Sequence, residues 1–295
     1  MAVMNGDNLP EGVRRIASRA NQRLREWASL KNVAERNALG LTLAEGVRLV
    51  AEGLAPLPPG GYRPAALFYA DAASERPELP GFLAQARTAG IDCYSLSDDC
   101  FSKLSGLGGT EGIALLMRLP PASRVFPLAL TDPGACWLLA AGVQDPGNAG
   151  ALARTALAAG ADGCLFLDGA DPSSPKFLRG SMGAAFHLPC PQLPQAVFLH
   201  HWCEMSTPPR LLAATPSAAA NPLSHNFRQV DYHPPLVIMV GGESGLTSEL
   251  LVLASEELHI PLRAGVESLN LAVAAGIILF EAERSWSGET GNPLS

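Results

Sequence analysis

The chain has 295 residues, of which 47% are hydrophobic and 17% are charged, and its formal net charge at pH 7 is -7. This composition excludes a disordered or low-complexity protein, and the length suffices for one large domain or two ordinary ones. The acidic balance excludes a chain that binds nucleic acid through its overall charge. An RNA or DNA partner would therefore need a local basic surface.

Three features of the sequence indicate where the protein is located: the cysteines, the N-terminus and the longest apolar run. No two of the six cysteines have the C-x2-C spacing of a zinc site, and most lie in apolar runs, which is typical of reduced, buried thiols. The N-terminus lacks the apolar stretch of a secretion signal. The run from Leu269 to Phe280 is too short to span a bilayer. We therefore expect a cytoplasmic protein with no membrane span and no metal site.

The region from Arg14 to Arg36 concentrates positive charge in this acidic chain. It holds seven of the 21 lysines and arginines but only two glutamates. The pattern is compatible with a helix around which the arginines spread. It leaves open both a solvated helical face and an arm that contacts RNA phosphates. The residues expected to make such contacts are Arg15, Arg19, Arg23, Arg25 and Lys31.

The residues from Leu39 to Met117 alternate between short apolar runs and helical patterns. The predicted elements are a strand leading into a helix over 39–50, strands at 65–70, 91–96 and 112–119, and a helix over 79–90. The proline-rich stretch 119–134 is typical of a linker. We therefore predict a small α/β domain over residues 1–118.

Residues 135–285 alternate more regularly between apolar strands and helices. The predicted elements are strands at 135–143, 163–169, 210–215, 236–240 and 258–262, and helices at 149–160 and 269–285. Apolar strands that alternate with helices predict a largely parallel sheet covered on both faces. The polar residues 286–295 are expected to form a disordered tail.

Polar residues and glycines follow three of these predicted strands, at the ends where open α/β sheets bind ligands. After the first, Asn148 is expected to be a helix N-cap, with Arg154 leaning back toward it. After the second, the pair Gly241-Gly242 lets a ligand approach the backbone closely. After the third, Ser268 is expected to cap the last helix.

Each of these three segments can also be explained without a ligand. The first would be a capped helix, the second a glycine turn and the third a helix N-cap. A nicotinamide-binding site is a further alternative, because Gly147 and Gly150 are followed about 20 residues later by Asp168. That fingerprint is incomplete, since Asp145 stands at the position of its first glycine. The scattered histidines match neither a metal site nor a catalytic pair.

Taken together and in this order, the segments resemble the SpoU/TrmH family of RNA ribose 2′-O-methyltransferases. The matching runs are QDPGNAGALARTALAAGADG (144–163), DPSSPKFLRGSMGAAFHLP (171–189), LVIMVGGESGL (236–246) and HIPLRAGVESLNLAVAAGIILFEAER (259–284). Residues 18–50 are similar to the family's substrate-binding domain, which is related to ribosomal protein L30e.

The resemblance implies a SPOUT fold with a deep trefoil knot in the parallel-sheet domain, and a smaller N-terminal L30e-like α/β domain. Pattern reasoning alone predicts an unknotted sheet, because knots are rare. The resemblance also implies S-adenosyl-L-methionine as cofactor, a homodimer, and structured RNA as substrate. Ribosomal RNA is favoured over transfer RNA, because an added L30e-like domain suits a large folded target.

The resemblance also assigns roles to residues at the three strand ends. The catalytic or site-shaping residues are Asn148, Arg154, Glu243, Ser268 and Asn270. The cofactor contacts are Gly241, Gly242, Ile260, Leu262 and Leu269. Two further candidate RNA contacts lie in the run 175–183, at Lys176 and Arg179.

This chain departs from the family pattern in its second motif. The run Glu243-Ser244-Gly245 has one residue fewer than the family usually has between the glutamate and the last glycine. Gly242 also stands where the family often has asparagine. A second class of function therefore stays open, namely an RNA-binding knot protein with little or no methyl transfer.

Overall fold

The computed structural model describes residues 9–108, 111–121, 128–216 and 224–290. These residues fall into two compact units. The first consists of the described parts of Met1–Pro121 and Ser173–His187, and the second consists of those of Ala122–Pro172 and Leu188–Ser295.

The first unit is built on a five-stranded mixed sheet. Its strands are β1 (Val13–Ile16), β2 (Leu41–Glu45), β3 (Arg63–Ala70), β4 (Asp92–Leu96) and β5 (Ile113–Arg118), in the spatial order β1-β4-β3-β5-β2. Strands β1, β4 and β3 are parallel, and β5 is antiparallel to both β3 and β2. Its helices include α1 (Gln22–Ser29), α2 (Val33–Leu39), α3 (Val47–Leu54), α4 (Leu79–Thr88) and α5 (Asp98–Leu104). The elements predicted between residues 39 and 119 are confirmed, and α5 is an addition.

The basic region does not form the continuous helix with which its charge pattern is compatible. It begins as strand β1 and then forms two short helices. The Asn21 side chain accepts a hydrogen bond from Leu24 N at 3.2 Å, and the Asn32 side chain accepts one from Ala34 N at 2.9 Å. An asparagine at an N-cap has extended rather than helical backbone, so each one starts a new helix and interrupts the region.

The second unit is built on a seven-stranded sheet in which each strand is parallel to its neighbours. Its strands are β6 (Cys136–Ala141), β7 (Gly163–Leu167), β8 (Gln192–Leu193), β9 (Arg210–Ala214), β10 (Ser224–Asn226), β11 (Leu236–Gly241) and β12 (Glu256–His259), in the spatial order β10-β12-β9-β11-β6-β7-β8. The remaining helices of the chain are α6 (Pro146–Ala158), α7 (Pro175–Ser181), α8 (Gln195–Glu204), α9 (Ser248–Leu253) and α10 (Leu271–Thr290). The predicted α/β class with a parallel sheet is confirmed.

The central strands β6 and β11 are buried over nearly their whole length. Their continuous apolar sequences are typical of parallel strands covered on both faces. On one face, Trp137 and Met239 pack in a core with Phe198 and Trp202 of α8 and Leu250 of α9. Helices α6 and α10 pack against each other in the same unit. These strands are therefore rigid supports for the loops at their carboxyl ends.

One segment of the second half of the chain belongs to the first unit. This inserted segment, residues 173–187, contains α7, which packs against β2. The Thr42 hydroxyl donates a hydrogen bond to the Ser173 carbonyl at 2.6 Å. The sequence-based boundary of 135–285 therefore differs from the structural division by this segment, because its docking depends on contacts with residues far away in the chain.

The predicted ends of the second domain also differ from the structure. Helix α10 continues to Thr290, so the first five residues of the expected tail 286–295 are helical. Residues 291–295 lie outside the described residues. Within the predicted linker, Leu128–Thr131 forms a short 3-10 helix, and residues 122–127 lie outside the described part.

Candidate active site

The loop after β6 leads directly into α6, and the N-cap of that helix is Asp145 rather than the predicted Asn148. The Asp145 carboxylate accepts a hydrogen bond from Asn148 N at 2.9 Å. Pro146 follows in the first turn, where a missing N–H removes no helical hydrogen bond. The helix therefore begins three residues earlier than predicted, and the exposed Asn148 lies in its first turn.

Arg154 lies on α6 with an exposed side chain and no hydrogen-bonded or ion-paired partner among the described residues. Gly147, Gly150 and Arg154 have the spacing of residues on one helix face. A helical side chain leans toward the N-terminus of its helix, so the guanidinium can extend over these two glycines. Its charge is thus available near the carboxyl end of β6.

The loops after β6, β7 and β11 approach one another closely at this edge of the sheet. A Cβ atom on Gly242 would lie 2.4 Å from the Gly142 carbonyl oxygen, and one on Gly169 would lie 2.4 Å from that of Val143. The hydrogen bond from Ala170 N to Val143 O, at 2.8 Å, joins two of these loops. The first loop is therefore held between the other two by contacts that only glycine permits.

The shortened second motif forms a closed turn. Gly245 N donates a hydrogen bond to Gly242 O at 3.0 Å, and a Cβ atom on Gly241 would lie 2.4 Å from the carbonyl carbon of Gly245. Gly245 has a φ of +76°, which glycine adopts without strain. Glu243, near the tip of this turn, is exposed and has no partner within the described part of the chain.

Helix α10 begins at Leu271, and Asn270 rather than the predicted Ser268 caps it. The Asn270 side chain accepts hydrogen bonds from Ala272 N at 3.0 Å and from Val273 N at 3.4 Å. Asparagine caps as well as serine does, and Asn270 stands directly before the helical run. The hydroxyl of Ser268 is therefore not used for capping and lies in an exposed part of the loop.

A cavity of about 180 Å³ lies at the carboxyl ends of β9, β11 and β12, beside α10. Among the residues predicted for the site, those that line it are Gly241, Ile260, Leu262, Ser268 and Leu269. The other lining residues are mostly apolar. The structure thus brings together four of the five predicted cofactor contacts and one predicted polar residue.

The remaining predicted site residues do not line this cavity. Gly242 and Glu243 lie in the turn that follows β11, Asn148 and Arg154 lie on α6, and Asn270 caps α10. Because β6 and β11 are parallel neighbours in register, their carboxyl ends lie side by side. Asn148 and Glu243 therefore follow adjacent strand ends of one sheet.

Two polar lining residues were not predicted from the sequence, namely Thr215 and His259. His259 Nδ1 lies 3.0 Å from the Ser224 hydroxyl, and the Thr215 hydroxyl donates to Glu257 at 3.3 Å. The position of His259 directly before Ile260 in the third motif is the signal that could have identified it.

The thiols of Cys136 and Cys164 are buried, and the described residues form no metal-binding cluster. Burial raises the pKa of the Cys136 thiol to about 12 and raises the pKa of the Cys164 thiol well above its usual value, so both are protonated at neutral pH. No group of three or more histidine, cysteine, aspartate or glutamate side chains in the described ranges could hold a metal ion. No helix there is long and apolar enough to cross a membrane.

The predicted RNA contacts all lie in the first unit, in two groups. The first group lies on β1 (Arg15), in the loop after it (Arg19), on α1 (Arg23 and Arg25) and in the loop after α1 (Lys31). The second group lies on α7 in the inserted segment and consists of Lys176 and Arg179. Arg15 is half-buried and paired with Asp71, and hydrogen bonding to that carboxylate raises its pKa. Its charge is therefore already neutralised, whereas Arg25 and Lys31 are exposed.

Two family models match successive parts of the chain. Residues 136–280 match the SpoU rRNA Methylase family, and residues 21–114 match the MRM3-like substrate binding domain. The chain is 30% identical to the 23S rRNA (guanosine(2553)-2′-O)-methyltransferase RlmP of Bacillus subtilis, over 91% of this chain and 98% of that protein. The chain belongs to the SpoU methylase family.

Two solved structures resemble this SpoU methylase over nearly its whole length. An AdoMet-bound rRNA methyltransferase from Sinorhizobium meliloti has a TM-score of 0.74 and 26% identity, covering 93% of this chain and 99% of that one. The SpoU methyltransferase AviRb from Streptomyces viridochromogenes, in complex with AdoMet, has a TM-score of 0.75 and 25% identity. The match covers 90% of this chain and 97% of that one. The expected RNA methyltransferase class is confirmed.

Proposed function

We propose that this SpoU methylase transfers a methyl group to a ribose 2′-hydroxyl of ribosomal RNA. The observation that carries the proposal is the cavity at the carboxyl ends of β9, β11 and β12, which is lined by four of the residues expected to hold the cofactor. The 23S rRNA substrate in the name of the B. subtilis relative favours ribosomal over transfer RNA.

The residues that line the cavity suit S-adenosyl-L-methionine. Its walls are largely apolar, through residues such as Val240, Leu258 and Ile278, and they suit an adenosine ring and a short aliphatic chain. Gly241 has no side chain, which lets the turn at Gly245 pack against it beside the cavity. When bound, the cofactor supplies an electrophilic methyl group on a sulfonium, so the chain must orient a hydroxyl in line with it and assist the loss of its proton.

Arg154 supplies a positive charge for this reaction rather than a base. The family resemblance assigns the role of base to this arginine, but a guanidinium does not lose its proton at neutral pH. The exposed, unpaired Arg154 side chain instead binds the phosphate next to the target ribose and stabilises the developing alkoxide.

The other polar residues orient the substrate or shape the loops around it. The Ser268 hydroxyl lines the cavity and can orient the ribose hydroxyl. Asn148 and Glu243 follow adjacent strand ends and face solvent, where RNA can reach them. Asn270 fixes the start of α10 and thereby the loop that carries Ser268.

Labelled methyl donor and unmodified ribosomal RNA test this proposal. Transfer to a ribose 2′-hydroxyl makes the adjacent phosphodiester resistant to alkali, so the label should appear in alkali-resistant dinucleotides. Label in a base would contradict ribose methylation. Binding of S-adenosyl-L-methionine and RNA without any incorporation would instead favour the RNA-binding knot protein with little turnover.

The proposal includes a homodimer that forms through an exposed face of α10. Val273, Ile277 and Phe280 are 52%, 36% and 47% exposed and follow an i, i+4, i+7 pattern. Such a stripe on a helix is typical of a protein–protein contact. The trefoil knot, the L30e-like topology of the first domain and the cytoplasmic location are further parts of the proposal.

Substitution of Phe280 by glutamate is expected to shift the protein to a monomer, because a charge in an apolar contact is not solvated. Light scattering after gel filtration measures the mass. The matched control is Val252→Glu, since Val252 is also an exposed apolar residue, at 84%, but lies on α9. A wild-type protein that is already a monomer would contradict the dimer.

A further inference from the structure

Basic side chains from three parts of the first unit lie at the end of α5 and at the loop that follows it. The loop consists of residues 105–108, directly after α5. The Lys31 ammonium donates to the Lys103 carbonyl at 3.0 Å, and the Lys103 ammonium donates to the Arg19 carbonyl at 2.7 Å. Arg179, from the inserted segment, donates to the Gly108 carbonyl at 3.1 Å. We call Lys31, Lys103, Arg179 and residues 105–108 the basic loop surface.

A buried carboxylate holds the loop in place. Glu45, at the end of β2, is 3% exposed and accepts hydrogen bonds from the Ser105 hydroxyl and from Gly106 N, the latter at 2.9 Å. Burial raises the pKa of Glu45, while these hydrogen bonds and the charge of Lys31 oppose that shift. A buried carboxylate is costly unless it is hydrogen-bonded, so Glu45 favours the loop conformation that provides these two donors.

The outer side of the loop is open. Gly106 and Gly108 are exposed, and a Cβ atom on Gly108 would meet no atom of the described residues within 4 Å. Three carboxylates of this region are Glu45, which is buried, Asp99, which is 3.0 Å from Arg19, and Glu111, which accepts a hydrogen bond from Val47 N. The four cations Arg19, Lys31, Lys103 and Arg179 therefore outnumber these three carboxylates, on a chain whose formal net charge is -7.

We propose that the basic loop surface contacts backbone phosphates of folded RNA, and that Glu45 is a positioning residue that fixes the loop for this contact. The inference rests on the proposed function and extends it to Lys103, the glycine loop and Glu45. Cations flanking exposed backbone bind phosphates without reading sequence, so this surface orients the RNA rather than selecting the target nucleotide.

Binding of a fluorescent 23S rRNA transcript to the full chain, measured over a range of KCl concentrations, tests the charge. We expect Lys103→Gln with Arg179→Gln to lower the affinity about tenfold and to reduce the slope of log affinity against log salt by about 2. The control pair is Arg87→Gln with Arg118→Gln, which removes two exposed charges outside this surface. The control should keep both the wild-type affinity and slope.

A second pair of variants tests the positioning role. Glu45→Ala removes the acceptor for the Gly106 N–H, so we expect RNA affinity to fall about fivefold while S-adenosyl-L-methionine affinity is unchanged. Glu45→Gln keeps an acceptor oxygen at that place and should restore RNA affinity. Equal RNA affinity of the alanine variant and the wild type would overturn the positioning role.

The outcomes separate this inference from the proposed function. If the wild-type chain binds and methylates RNA but the Lys103 and Arg179 pair keeps its affinity and salt slope, the basic loop surface does not contact RNA and an acidic protein partner would fit it instead. If the wild-type chain neither binds nor methylates the transcript, the proposed function itself fails.

Discussion

Arg154→Ala should reduce methyl transfer at least about 100-fold, the cost typical of removing one group that stabilises transition-state charge. The affinity for S-adenosyl-L-methionine should stay within about twofold of wild type, because Arg154 does not line the cavity and its removal leaves no buried group unpaired. Single-turnover transfer and calorimetry measure the two quantities separately.

The matched controls for Arg154 are a conservative and a distant substitution. Arg154→Lys keeps the charge but not the planar guanidinium, so it should recover part of the activity. Arg87→Ala removes an exposed arginine from α4 in the other unit and should have no effect. Wild-type turnover by Arg154→Ala would remove this residue from the mechanism.

Gly242→Ala should weaken S-adenosyl-L-methionine binding about tenfold or more. The new Cβ would lie 2.4 Å from a backbone oxygen of Gly142, so one of the two loops must move. Such overpacking costs about 1 to 3 kcal/mol, and about 1.4 kcal/mol corresponds to a tenfold change in affinity. Gly242 is bonded to Gly241, which lines the cavity. A shift of the Gly242 backbone therefore also moves this part of the cavity wall.

The control for Gly242→Ala is Gly81→Ala. Gly81 lies in α4, and a Cβ atom there would meet no atom within 4 Å. Alanine in an open helical position should raise the free energy of unfolding by about 0.5 to 1 kcal/mol and leave cofactor binding unchanged. If Gly242→Ala binds the cofactor as tightly as Gly81→Ala does, the packing of the strand-end loops does not shape the site.

The sequence predicts the central strands and the cavity well, for a physical reason. β6 and β11 are covered on both faces, so their sequences are continuous apolar runs bounded by turn residues. The carboxyl ends of parallel strands meet at one edge, so glycines and polar residues after these runs predict a common site. Gly241 was identified in this way, whereas Ile260 was assigned by the family resemblance.

The two capping errors have a local cause. Asp145 and Asn148 stand three residues apart, and Ser268 and Asn270 stand two residues apart. Any of these side chains can accept a hydrogen bond from a helix N-terminus. Pro146 and the position of the apolar run decide between them.

The remaining errors come from contacts between residues far apart in the chain. Strand β1 is only four residues long and contains two arginines, so neither its length nor its hydropathy predicts a strand. It is held by pairing with β4 and by ion pairs from Arg14 to Asp92 and from Arg15 to Asp71. The docking of the inserted segment likewise depends on Thr42, 131 residues away from Ser173.

The most direct test of the account is a map of 2′-O-methylation in ribosomal RNA from cells that lack this chain. We predict that one ribose is unmethylated in these cells, and that the wild-type chain restores its methylation but Arg154→Ala does not. Ribosomal RNA with the same ribose methylation in the presence and absence of the chain, or a methyl group restored on a base, would contradict the account.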